Sequence, residues 1–274
     1  MSHFLTTKQF RFSLLLTAGL LFPAIVQSAS VQVPSMGIKT ISEAMLRTRV
    51  GDTVWLEKGV YRERVLIAPG VTLASRQLFG AVIDGGGRGI VVTMGKSTTI
   101  TGLEVRNGTI GIFSNGSGNT ITQCRIINNW QTGLMIVRHL PKVEDNIIAF
   151  NRASGIQGWD VRSTNATINH NSIVYNGNHG VAVGGSSELI LENNVVAFNE
   201  RFGIKILSQA ERIQISNNNF YRNLQSPKPI PSGNFSFDPA FLAPRTNMNF
   251  KSDPAHCCKA KGTDNEELGA RLVY

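Results

Sequence analysis

Apolar and amide positions recur along the chain in one order: an Asn or small residue, four mostly apolar residues, an Asn, three variable residues, then Gly and a branched aliphatic. The phrase reads Asn146-Ile-Ile-Ala-Phe-Asn151 before Gly155-Ile156, Asn171-Ser-Ile-Val-Tyr-Asn176 before Gly180-Val181, and Asn194-Val-Val-Ala-Phe-Asn199 before Gly203-Ile204. Looser copies pass through Gly85, Asn107 and Asn129 upstream and Asn223 downstream, so successive anchors lie 22, 22, 22, 25, 23 and 24 residues apart. A repeat of that length is one coil of a solenoid, and such an array buries a single continuous core.

Aligned on the anchor, like residues fall into columns. Five positions after it stand Ile90, Ile112, Leu134, Ile156, Val181 and Ile204; three before it stand Val82, Glu104, Ile126, Ile148, Ile173, Val196 and Phe220. Stacked strands about 4.8 Å apart bring each side chain onto its equivalent in the next coil, so these columns predict the core. The asparagines predict amide ladders where the chain turns, and the Gly before each aliphatic predicts a bend that a Cβ would obstruct. Phe150, Tyr175 and Phe198, one before the anchor on consecutive coils, predict an aromatic stack whose first reading is packing.

The flanks differ from the array. Thr40-Ile-Ser-Glu-Ala-Met-Leu-Arg47 spaces Ile41, Met45 and Leu46 as a short amphipathic helix behind a Ser/Thr cap, suited to covering the open end of the first coil. From Gln225 the phrase stops, and Pro227, Pro229, Pro231 and Pro239 oppose regular pairing; the tail is expected to fold over the last coil as a cap. At the other end Lys8 and Arg11 precede an apolar run from Phe12 to Val26 and the small residues Gln27-Ser-Ala-Ser30. That is the layout of a secretory signal peptide, and the run is shorter than the roughly 20 residues that span a bilayer. The expected organisation is therefore signal peptide over 1–29, solenoid with its N-terminal cap over 30–225, and irregular cap or tail over 226–274. No transmembrane segment is expected once the signal is removed.

Charge narrows the partners. The chain carries 27 basic and 18 acidic residues; removing Lys8 and Arg11 with the signal leaves 25 − 18 = +7. An exported basic surface suits an anionic polysaccharide, with nucleic acid not expected and a monomer assumed. Three cysteines leave an odd count: Cys124 takes a ladder position and reads as a buried small residue, while Cys257 and Cys258 adjoin in the tail. No Cys/His spacing supports zinc.

The phrase Asn-x-[Ile/Val]-x-x-Asn-x-x-x-Gly-[Ile/Val] resembles the right-handed parallel β-helix repeat of the pectin-lyase-like superfamily. Gly51-Asp-Thr-Val-Trp-Leu with Gly59-Val-Tyr and Val65-Leu-Ile, and the closing Glu267-Leu-Gly-Ala, are similar to the ends of bacterial members. The resemblance implies an all-β, right-handed parallel β-helix over about 38–270. Its members include pectate lyases, polygalacturonases, alginate lyases and epimerases, and periplasmic proteins that assist maturation of a partner. It therefore implies an outer sheet face along which a polymer lies, and it does not choose a chemistry.

Three successive coils supply the candidate site. Gln157-Gly-Trp159-Asp160, Asn178-His179-Gly180 and Arg201-Phe-Gly-Ile-Lys205 follow or form consecutive corners, and by column Lys205 lies over Ala182 and Gln157. His179-Gly180 and Gly203-Ile-Lys205 are similar to elements of polygalacturonases, but the paired acids of that family are absent, so hydrolysis is disfavoured. Elimination or C5 epimerisation of a uronate needs a base, a group neutralising the carboxylate, and an acid. The resulting assignment makes His179, Lys205 and Asp160 the catalytic candidates, and Trp159, Gln157, Arg201 and Arg138 the substrate-binding ones. No cofactor is expected; calcium lacks an acidic cluster, and Asp253-Pro-Ala-His256 is not the Asp-Pro-His motif of alginate epimerases. Competing readings stand beside these. Arg138 shares a column with Asp160 and would pair with it, His179 at a corner reads as a solvated turn residue, Trp159 covers an apolar patch, and His170 joins Asp145 and Asn193 in a hydrogen-bonding column. A non-catalytic module, binding polysaccharide or assisting a partner, is the alternative function.

Overall fold

A computed structural model describes residues 28–162, 166–185, 188–207, 212–225, 230–253 and 262–272; the expected signal peptide falls almost entirely outside these, as do Cys257 and Cys258. The chain winds as an all-β, right-handed solenoid of about eight turns. Three parallel sheets run its length. We call them sheet A, nine strands from Ser30–Val33 to Arg212–Ser216; sheet B, eight strands from Gly59–Tyr61 to Asn219–Tyr221; and sheet C, seven strands from Val65–Ile67 to Ile204–Ile206. Each coil visits A, then B, then C. The short helix Ile41–Met45 closes the N-terminal end: Thr40 and Glu43 form a reciprocal capping box, and Ile41, Ala44 and Met45 face the core.

Two amide ladders run along the corners. At the B–C corner Asn129, Asn151, Asn176, Asn199 and Asn223 pass hydrogen bonds from coil to coil; at the A–B corner Asn146, Asn171, Asn194, Asn218 and Asn234 do the same. Each Oδ1 accepts from the backbone and side-chain amides of the preceding rung, and each Nδ2 reaches back to a strand carbonyl, as Asn176 does to Ile148 O at 3.0 Å. Buried amide groups are thereby fully satisfied where strand pairing is interrupted. The glycine column beside the ladder has a reason other than a bend. A Cβ at Gly155 would stand 2.8 Å from Gly180 O and 2.9 Å from Asn176 Nδ2, so the residue is small because the next coil's ladder passes so close.

Cys124 starts the A–B ladder, its backbone N–H donating to Asn146 Oδ1 at 2.9 Å. Burial pushes its thiol up to about 12. Its peptide is therefore expected to remain unmodified by iodoacetamide at pH 8 in the native protein and to react after unfolding, as read by mass spectrometry.

Upstream of Asn129 the registration of coils differs from the amide count. Ile127 pairs with Arg106, so Asn129 lies over Gly108 and Asn107 over Asn128; Ile112 pairs with Val92 rather than Ile90. On sheet C the shift is two residues; on sheet B it is one, which inverts sidedness. Val105, not Glu104, faces the core beside Ile126, and Glu104 points outward on sheet B, buried between Arg106 and Arg125.

Sheet B is covered on both faces in its later coils. Its strands Ile147–Ala149, Ser172–Val174 and Val195–Ala197 are buried at every position. Residues 230–237 first cover the last coil, Asn234 adding a rung to the ladder. The tail then turns back along the outside of sheet B, through the antiparallel pair Phe241–Ala243 and Asn249–Ser252. Phe250 packs under it against Phe150 and Tyr175, with ring centroids 6.0 and 6.5 Å apart. Phe150, Tyr175 and Phe198 form a stack at 5.3 and 4.8 Å with nearly parallel rings, each in the left-handed region with φ of 56–57°. Bulky side chains rarely adopt that conformation, and here ladder, stack and tail hold it from three sides.

The tail ends on the left-handed residues of the A–B corner. Arg271 clasps Asp145 through Nε at 2.8 Å and Nη2 at 3.1 Å; Gly269 N–H donates to Asn193 O; Thr263 N–H donates to Asn193 Oδ1. His170, fully buried, reaches Asp264 Oδ2 at 2.8 Å and Glu267 O at 3.1 Å. The corner position of His170 is thus a docking point for the tail.

Candidate functional site

Sheet C presents the one long outer face to which the sequence candidates belong. Its outward columns are set by pairing. Gln157 pairs with Met135 on one side and Ala182 on the other, and Ala182 pairs with Lys205, so the predicted column is present. Gln157 accepts from Thr132 Oγ1 at 3.2 Å, which fixes its amide on the same face.

His179 stands at the B–C corner, where the chain enters sheet C. Its ring lies against Phe202 at 5.7 Å between centroids, and Lys205 Nζ sits 4.8 Å from the same phenyl ring. Phe202 therefore joins the two candidate groups, a role the sequence reading did not assign it. The backbone N–H of Phe202 donates to His179 Nδ1 at 3.3 Å. A backbone amide can only donate, so the neutral ring carries its proton on Nε2 and presents a donor outward. Burial, followed by the charges of Arg201 and Lys205, holds the imidazolium form below its ordinary 6.5. Arg201 is exposed on the same corner.

Asp160 does not join this group. It lies four residues beyond Ile156, about 13 Å of extended strand, on the opposite, C–A side of the sheet. A bulge between Gly158 and Val161 sets Trp159 and Asp160 together against Gly184 of the next coil. Asp160 has φ of 49° and pairs with Arg162 at 2.9 Å, both side chains being about half exposed or more. An exposed pair of this kind contributes little to stability. Arg138, exposed and with φ of 66°, occupies the equivalent place one coil earlier; the carboxylate's ion pair runs to Arg162 instead. Trp159, 48% exposed, stands beside Val137 on this side. The candidates thus divide into a cationic group of Gln157, His179, Arg201 and Lys205, and a separate group of Arg138, Trp159 and Asp160.

The arrangement offers cations, a donor imidazole and an amide on an open face. Among the described residues no carboxylate pairs with Lys205 or Arg201, and no group of three or more His, Cys, Asp or Glu side chains is placed to hold a metal ion. No helix among them is long and apolar enough to cross a membrane.

A family model described as the right-handed β-helix region matches residues 70–189. The structure is similar to that of pectate lyase Pel9A, with a TM-score of 0.56 at 14% identity, covering 92% of this chain and 98% of that one. The fold is a right-handed parallel β-helix. Two further β-helices resemble it. An alginate lyase from Paenibacillus sp. str. FPU-7 matches at TM-score 0.52 and 16% identity over 71% of this chain and 77% of that one. The A-module of Azotobacter vinelandii mannuronan C-5 epimerase AlgE4 matches at 0.53 and 18% over 68% and 67%. No curated protein matches the chain in sequence. Identities this low establish a shared β-helix, and the chemistry has to be argued from this chain's own face of sheet C.

Proposed function

We propose that this β-helix recognises an acidic polysaccharide on the outer face of sheet C, at the group formed by Gln157, His179, Arg201 and Lys205. The observation that carries the reading is the pair of cations, Arg201 and Lys205, placed around Phe202 on an open parallel sheet without a carboxylate partner among the described residues. Cations left unneutralised on a concave or flat face draw anionic polymers and hold carboxylates. The similar β-helices are a pectate lyase, an alginate lyase and a mannuronan epimerase, which agrees with a uronate-containing polymer, carried in the exported protein that the N-terminal segment predicts.

A uronate lyase or epimerase is the catalytic form of this reading. Arg201 is then the partner of the substrate carboxylate, and Lys205, which binds as a cation, is the base for the C5 proton only in its deprotonated form; His179, which donates through Nε2, fits the leaving oxygen better than the base. A recognition module without turnover is the other form, favoured by the distance of Asp160 from the cations. Isothermal titration with oligogalacturonate and oligoalginate at low salt tests recognition. Lys205→Gln and Arg201→Gln are each expected to weaken binding about tenfold, and no binding to either glycan sinks the proposal. Ultraviolet absorbance of an unsaturated product separates lyase from module.

The pH profile follows from the protonation of His179. Its lowered value leaves the ring neutral through neutral pH, so affinity is expected to be flat from about pH 7 to 8 and to rise only as pH falls below the ordinary 6.5 and a third cation forms. An inflection at or above pH 7 would contradict the placement of His179 between Arg201 and Lys205.

A further inference from the structure

The B–C corner of the first coils carries a second concentration of positive charge, remote from Lys205. Arg62 and Arg64 leave the strand Gly59–Tyr61, and Arg88 follows Asp84 one coil later; together they border a cleft of about 310 Å³. Two carboxylates share the cleft, and both are engaged elsewhere. Glu63 accepts from Ile41 N–H at 2.9 Å, Ser42 N–H at 3.0 Å and Ser42 Oγ at 2.8 Å, closing the N-terminal helix. Asp84 accepts from Arg106 Nε at 3.1 Å, Asn107 Nδ2 at 2.9 Å and Gly86 N–H at 3.0 Å. Burial opposes its charge, but these donors outweigh burial and keep its carboxyl below the ordinary value. Among the described residues no carboxylate pairs with Arg62, Arg64 or Arg88.

The wall is shaped to leave the guanidinium groups accessible. Gly86 and Gly87 have φ of 67° and 82° and add no side chain to the opening. At Gly89, with φ of 68°, a Cβ would stand 2.8 Å from Arg64 Nη1 and 3.2 Å from its Cδ, so the absent side chain is what lets Arg64 lie along the backbone. Three arginines beside two carboxylates that are already engaged leave the cleft net positive, which favours an entering anion. A guanidinium fork suits a carboxylate or another planar or tetrahedral oxyanion.

The same corner continues into a second opening of about 220 Å³. Asn107, which donates to Asp84 in the first cleft, also lines this one with Asn128 and Trp130. Trp130 is 49% exposed, and Arg152 lies 3.8 Å from the centre of its ring system. Stacking leaves the in-plane N–H groups of a guanidinium free to donate. A cationic cleft followed by an exposed indole and two amides is what an acidic sugar chain requires: charge for the carboxylate, a flat apolar surface for a ring, amides for hydroxyls.

We propose that the B–C corner of the N-terminal coils is a second glycan site, in which Arg62, Arg64 and Arg88 hold an acidic group and Trp130 carries a neighbouring sugar ring. The site is separate from the sheet C group and does not depend on catalysis. Calorimetry with a uronate trisaccharide, and with its methyl ester as the neutral counterpart, tests it at low salt. The wild type is expected to bind two acid trisaccharides. The triple variant Arg62→Gln, Arg64→Gln, Arg88→Gln is expected to lose one of them, with at least a tenfold loss of affinity, and Trp130→Ala to weaken the same event about fivefold. Arg201→Gln with Lys205→Gln should remove only the other event. Arg88→Gln alone, at an exposed residue, should weaken the event about threefold with an unchanged melting curve, which separates binding from folding. One event in the wild type, abolished only by the triple variant, would support this site and defeat the sheet C proposal. Unchanged stoichiometry and affinity in the triple variant would overturn it. So would equal binding of the methyl ester at that site, or equal competition there by an oligonucleotide of the same charge, since either would remove the acidic glycan as its ligand.

Discussion

Asn176→Ala is expected to destabilise the solenoid by about 4 kcal/mol. The side chain accepts from Asn151 N–H at 3.2 Å and Asn151 Nδ2 at 3.0 Å, and donates to Ile148 O and Asn199 Oδ1 at 3.0 Å each. Truncation leaves the Asn151 backbone N–H and one hydrogen of Asn151 Nδ2 without acceptors and takes a donor from Ile148 O and Asn199 Oδ1, and each stripped group costs about 1–3 kcal/mol. Asn151 and Asn199 are themselves essentially buried, so water does not reach the gap without opening a coil. The shift in urea midpoint, followed by circular dichroism, checks the expectation. A change equivalent to less than about 1 kcal/mol would mean that the ladder adapts around a missing rung.

The second large effect belongs to the tail. Phe250→Ala is expected to cost about 3 kcal/mol, and the cost should appear locally. Phe250 is 5% exposed and joins Phe150, Tyr175 and Phe241 to the apolar outer face of sheet B. Native-state hydrogen exchange should therefore quicken at the amides of Thr263, Gly269 and Ala270, which bond to Asn193 and Ser172, while sheet A amides keep their protection. Uniform acceleration across all three sheets would show the tail to be part of one cooperative unit. Acid should loosen the same contacts. Burial opposes the charge of Asp264, but bonds from Glu266 N–H and His170 outweigh it and hold the carboxyl below 3.8. A depressed folded value gives stability that is complete above the ordinary carboxylate range and is lost as pH falls through it. Protection of the tail amides relative to their intrinsic exchange should accordingly fall below about pH 4.

Where the ladder is continuous, sequence periodicity located side chains well: Gln157, Ala182 and Lys205 share a column because rungs at Asn151, Asn176 and Asn199 hold the coils in step. Upstream, Asn107 resembles a rung without being one, and a single-residue slip placed Glu104 inside instead of Val105. Two of the buried triplets of sheet B, Ile147-Ile148-Ala149 and Val195-Val196-Ala197, were visible as unbroken apolar runs, and such runs mark a strand covered on both faces. What covers them lay in a proline-rich tail with no periodicity to read. Asp160 was misplaced for a different reason. Column alignment reports position across coils, not distance along a strand, and the bulge after Gly158 has no counterpart in the repeat. Phe202, Trp130 and the corner arginines are variable positions of the phrase, where a repeat carries no information about partners.

The returning tail also fixes a number. Between Thr263 and Arg271 its fastenings fall on Asn193, His170 and Asp145, one on each of three consecutive coils. Most solenoids tolerate the gain or loss of a whole coil, because each repeat touches only its neighbours. Here a duplicated coil between Asp145 and Asn193 would carry the attachment points out of step by about 4.8 Å, and the tail would have to forfeit either Asp145 or Asn193. The coils from Asp145 to Asn193 are consequently a counted length, whereas the coils before Asp145 remain free to vary in number.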